Sequence, residues 1–117
     1  MLSKTIEDAL NEQVNAELWS AYLYLAMAHN FEADGKSGIA NWFKVQFKEE
    51  QAHAEIFMNY INARGGRVWL KPIDAVETEW ATPLDAFNAT RSVKMSDEGK
   101  LLLMDGDGNE IMTLARK

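Results

Sequence analysis

Glu50 and His53 stand three residues apart, as Glu-x-x-His, within the run Glu49-Glu50-Gln51-Ala52-His53. On a helix, that spacing puts a carboxylate and an imidazole side by side on one face. The same face carries Ile39, Phe43, Gln46, Phe57 and Tyr60, so it reads as core. An ionised carboxylate buried without a partner is very costly. Something must therefore neutralise it. Taken alone, the pair fits an ion pair or surface charges as well as it fits a metal. Carboxylate oxygen with imidazole nitrogen suits iron or manganese, and Glu-x-x-His on inward-facing helices is a pattern that holds two iron ions.

Glu17 shifts the balance between these readings. The expected helices meet at a turn near residue 36, with Glu17 about nineteen residues before it and Glu50 and His53 about fourteen and seventeen after it. At about 1.5 Å per residue, all three lie roughly 21–28 Å from the turn. Glu17 also falls on a core stripe, with Ile6, Leu10, Val14, Ala21, Tyr24 and Ala28. Three metal-ligating side chains at one height favour a metal. A bundle that holds two irons takes a Glu from each of two helices and Glu-x-x-His from each of two others. One hairpin carries half of that set, so two copies docked about a two-fold axis would supply the whole.

Two long helices must position these residues. The first should begin after Ser3 as N-cap, with Glu7 and Asp8 at its positive end, and run to about Ala33. A second apolar stripe, Leu18, Tyr22 and Leu25, predicts burial on two sides. Asp34 to Gly38 reads as the break, and a second helix should run from Ser37 or Gly38 to Arg64, ended by Gly65-Gly66. So short a connection implies an antiparallel pair. Residues 66–81 form a long connection that, at about 3.3 Å per residue, reaches roughly 50 Å. That is enough to return along a second helix about 40 Å long. Val68, Trp69, Ile73, Val76 and Trp80 predict that it is packed. Thr82-Pro83 reads as an N-cap and first helical residue, opening a short third helix to about Met95. The chain is expected to be all-α over 1–95, with a tail over 96–117 that could form a small β-hairpin around Asp105-Gly106-Asp107-Gly108-Asn109. That tail stretch fails as a calcium loop, since Glu110 and Arg116 stand where a glycine and a glutamate are needed.

Composition narrows the partners. The chain has 117 residues, 47% of them hydrophobic, which suits one domain with a real core. A net charge of -6 without basic clusters argues against nucleic acid. The absence of cysteine excludes disulfides, zinc-thiolate sites and iron-sulfur clusters. The start lacks a signal peptide's apolar core and no run suits a membrane span, so a cytoplasmic protein is expected. His29 reads as a surface residue, and the six methionines as core filler.

Residues 1 to about 90 resemble the N-terminal half of the non-haem bacterial ferritins. The resemblance rests on Asn11-Glu12-Gln13, Glu17-Leu18-Trp19-Ser20, Tyr22-Leu23-Tyr24-Leu25 and Gly38-Ile39-Ala40-Asn41-Trp42. It also rests on Glu49-Glu50-Gln51-Ala52-His53-Ala54, Arg64-Gly65-Gly66 and Thr82-Pro83-Leu84. It implies a ferritin-like four-helix bundle and a ferroxidase site that oxidises Fe(II) with dioxygen. There Glu17, Glu50 and His53 hold the first iron, and Glu50 bridges to a second. It implies that Tyr24 is the tyrosine beside the site, where the residues alone allow a plain core tyrosine. In some members the residue at Glu49 serves a third iron site; read alone, Glu49 is a solvated charge. Gln51 stands where bacterioferritins carry a haem-binding methionine, so no haem is expected.

The departures are as informative. The family's chain is about half as long again, and its full third and fourth helices supply further ligands. Here Lys94 falls on the third-helix glutamate position. The expectation is a homodimer or higher homo-oligomer that rebuilds the bundle and its di-iron site. The alternatives are a non-catalytic protein that docks on itself or on a full-length ferritin, and iron binding without turnover.

Overall fold

A computed structural model describes residues 2–91. Two long helices dominate, α1 over Lys4–Ala33 and α2 over Ser37–Ala63. Ser3 caps α1 as expected: its Oγ accepts from the Ile6 amide at 3.3 Å and its carbonyl from Glu7 at 2.9 Å. Both helices end in the same way. The Gly35 amide donates to Glu32 and that of Lys36 to Phe31, at 3.0 and 2.9 Å. At the end of α2, Gly65 donates to Asn62 and Gly66 to Ile61, at 3.3 and 2.9 Å. This paired pattern needs a left-handed residue just past the helix, and Gly35 and Gly65 supply it with φ of 76° and 80°. The interhelical link is short, since α2 begins at Ser37, as expected.

The segment after α2 returns along α1. Asn11 holds its start: its Nδ2 donates to the Arg67 carbonyl at 3.0 Å and its Oδ1 accepts from the Trp69 amide at 2.7 Å. Asn30 holds its end, exchanging bonds of 3.1 and 3.3 Å with the Trp80 backbone. Val68, Val76 and Trp80 pack inward as expected. Trp69 and Ile73 do not; they are 46% and 43% exposed, and the Arg67 guanidinium stacks on Trp69 at 3.5 Å. The segment is held at its two ends by the Asn11 and Asn30 side chains, and residues 69–75 between them are all exposed. A third helix, α3, covers 83–91, capped by Thr82, whose Oγ1 accepts from the Asp85 amide at 3.2 Å.

The described residues are all-helical, without a strand. The expected hairpin tail over 96–117, and Lys94, lie outside them. No described helix is long and apolar enough to cross a membrane. The interior divides into two apolar clusters. One, near the α1–α2 turn, is built on Leu23, Tyr24, Met27, Phe31, Phe43 and Trp80. The other, towards the far end, is built on Leu10, Val14, Phe57 and Ile61. Of the second stripe on α1, Leu18 and Leu25 are half-buried and Tyr22 is exposed, so the described residues cover it only in part.

Candidate metal centre

Between the two apolar clusters lies a layer of buried polar side chains: Gln13, Glu17 and Ser20 from α1, Gln46 and Glu50 from α2. Helix spacing forces the layer. Residues 13, 17 and 20 follow the inward stripe of α1, and 46 and 50 that of α2. Because the helices are antiparallel, Glu17 and Glu50 meet.

Glu17, Glu50 and His53 converge here. One ligand atom from each lies within 4.8 Å of the others. His53 Nδ1 is 3.6 Å from Glu17 Oε2 and 3.6 Å from Glu50 Oε2. That is long for a hydrogen bond, so the attraction is mainly electrostatic. The carboxylates are 3% and 6% exposed, whereas the His53 side chain keeps 32% of its surface. The cluster is therefore deep on its carboxylate side and open on its imidazole side.

Burial, the largest cause, and the neighbouring Glu50 together raise the Glu17 pKa from 4.5 to about 7 against the opposing pull of His53 and Gln13. The two carboxylates, Glu17 first, raise His53 from 6.5 to about 10. The metal-free cluster thus holds protons that a cation would replace. The donor set is two carboxylates and a neutral-capable imidazole, and among the described residues the buried Glu17 Oε2 and Ser20 Oγ form no hydrogen bond. Such a set fits a divalent iron or manganese ion.

Tyr24 lies two turns beyond Glu17 on the same stripe, fully buried in the neighbouring apolar cluster, with its ring 6.4 Å from that of Phe43. Glu49 is exposed on α2 and is not one of the three residues whose ligand atoms converge. His29 is exposed. Sequence reasoning passed over Gln13, whose Nε2 donates to Glu17 Oε1 at 3.0 Å. The available signal was its position one turn before Glu17.

The ferritin-like domain family matches residues 7–95. The bacterial non-heme ferritin of Bacteroides fragilis (strain 638R) is 47% identical over 87 residues, which are 74% of this chain and 55% of that protein. That of Staphylococcus aureus (strain USA300) is 37% identical over 92 residues, 79% of this chain and 55% of the relative. The chain therefore spans about half the length of the curated relatives it matches. Among solved structures, an open pore ferritin from the hyperthermophilic archaeon Archaeoglobus fulgidus superposes with a TM-score of 0.88 at 33% identity, covering 99% of this chain and 75% of that one. A humanized archaeal ferritin gives 0.87 at 34% identity, covering 97% of this chain and 73% of that one.

Proposed function

This chain belongs to the ferritin family, and we propose that Glu17, Glu50 and His53 form half of a di-iron centre that oxidises Fe(II) and that a second copy completes. The observation that carries the reading is the meeting of these three ligands in one polar layer between two apolar clusters. Two such layers, related by a two-fold axis, sum to four carboxylates and two imidazoles, the set that holds two irons in a helical bundle. The open His53 side of the cluster gives the second copy access.

Fe(II) is the substrate and dioxygen the oxidant. Glu17 and His53 serve as terminal ligands, and Glu50 with its counterpart bridges the metals. His53 must give up its proton before its nitrogen can bind. Each Fe(II) then passes one electron to dioxygen, and two protons complete hydrogen peroxide. The apolar clusters on either side keep bulk water from the layer. Tyr24 is assigned as a redox-active neighbour, supported by its complete burial two turns from Glu17. Glu49 is assigned as an outer iron ligand, supported only by its place beside Glu50 on α2.

Anaerobic loading of the metal-free protein with Fe(II), followed by admission of air, tests the reading. The expected result is oxidation faster than that of Glu50→Ala, from a species with the mass of at least two chains. Equal rates would overturn it. A second reading, assembly without turnover onto another copy or a full-length ferritin, draws on the exposed side chains Trp42, Val45, Leu84 and Phe87. It predicts the same association with no metal uptake.

A further inference from the structure

We infer that Gln13 is a positioning residue for the metal centre: it ties down one oxygen of Glu17 so that the other is presented to the metal. The inference rests on the reading above, in which Glu17, Glu50 and His53 bind a divalent ion. Gln13 sits one helical turn before Glu17 and is 1% exposed. Side chains so spaced on a helix are neighbours. Its Nε2 donates to Glu17 Oε1 at 3.0 Å, which fixes that oxygen against α1. Glu17 Oε2 has no hydrogen-bond partner among the described residues and lies 3.6 Å from His53 Nδ1. The two oxygens of one carboxylate are thereby made different. One is held by its own helix, and the other faces the neighbouring helix that brings Glu50 and His53.

Among the described residues, nothing but Glu17 makes a hydrogen bond to the Gln13 side chain. Gln13 Oε1 is buried and has no hydrogen-bond partner. A methionine would fill similar space without burying an amide. The amide's one satisfied contact is a bond to a carboxylate, of the charge-assisted kind when Glu17 is ionised. An ionised carboxylate only accepts, so the amide nitrogen must face it. Partners of this kind, one step behind the ligand, orient ligating carboxylates and strengthen metal binding.

Titration of the full chain with Co(II) tests the assignment, read as affinity and as the visible absorption that reports coordination geometry. Wild type, Gln13→Met, Glu50→Ala and the remote control Thr90→Val are compared. Gln13→Met is expected to bind roughly 10–100-fold more weakly, with a changed Co(II) spectrum. Its thermal midpoint should fall no further than that of Thr90→Val. Binding and spectrum equal to wild type in Gln13→Met, while Glu50→Ala loses the metal, would overturn the role of Gln13 and leave the metal reading standing. Equal binding by wild type and Glu50→Ala would overturn both. Should Gln13→Met fail to fold, the side-chain amide resonance of Gln13 in the wild type decides. One of its protons should lie downfield and remain so when Zn(II) is added. Its return to the free-amide position on zinc binding would overturn the assignment.

Discussion

Metal binding by this cluster should expel protons in a number that changes with pH in a defined way. His53 is raised to about 10 by its two carboxylates, and Glu17 to about 7, chiefly by burial. A bound metal requires His53 neutral and Glu17 ionised. His53 titrates well above the pH 6–8 window, so its loss contributes about one proton throughout. The share from Glu17 falls from about 0.9 proton at pH 6 to about 0.5 at pH 7 and about 0.1 at pH 8. Together, these two groups should contribute about 1.9 protons per cluster at pH 6, about 1.5 at pH 7 and about 1.1 at pH 8. Linkage turns these into an affinity slope: integrated over the window, the metal association constant rises about a thousandfold, or about 4 kcal/mol. The assay is anaerobic Fe(II) titration by calorimetry, in two buffers with different heats of protonation at each pH. Their difference gives the proton count directly. An affinity independent of pH between 6 and 8, or fewer than about half a proton released per metal at pH 6, would refute the assignment of these two groups as ligands.

The metal-free protein should respond to pH in the opposite sense. Glu17 and His53 both have folded pKa values above their ordinary ones, so the folded state binds more protons and stability falls as pH rises. The Glu17 contribution is complete below about 4.5 and lost through about 7; that of His53 is complete below about 6.5 and lost through about 10. Thermal melts of the metal-free protein should therefore shift downward from pH 6 to 9, and a flat or rising midpoint would contradict the cluster's charge state. Phe57→Ala, at a side chain with no exposed surface, should cost about 3–5 kcal/mol in urea unfolding. Asn11→Ala removes two backbone bonds to the returning segment. It should lower stability by about 1–3 kcal/mol and speed hydrogen exchange at the Trp69 amide. Gly35→Ala meets no atom within 4 Å but must hold a φ of 76°. Its cost should be about 1–2 kcal/mol, measured by the same unfolding.

The elements that were legible in the sequence are those whose signals are local. Ser3 before an amphipathic run, Gly65-Gly66 after one, and Thr82-Pro83 each mark a helix boundary through bonds reaching only three to five residues. Glu17, Glu50 and His53 were legible because two helices of regular rise, joined by a short turn, bring residues equally distant from the turn to one height. The returning segment is different. Its course depends on Asn11 and Asn30, whose partners stand fifty or more positions away at Arg67, Trp69 and Trp80. Such pairs leave no periodicity, so apolar content predicted packing at Trp69 and Ile73, which point outward. Gln13 was missed for a related reason: a glutamine on an inward stripe looks the same in sequence whether it pads a core or braces a ligand.

The placement of the polar layer also has a physical logic. Buried carboxylates weaken a core, since their desolvation is offset only in part by an imidazolium 3.6 Å away. Here the cost falls midway along both helices, with a complete apolar cluster on each side. Both clusters join α1 to α2, one on each side of the layer. The layer is therefore free to carry a raised carboxyl, a charged histidine and unsatisfied oxygens at once. That is the condition in which a site gains most from taking up a cation.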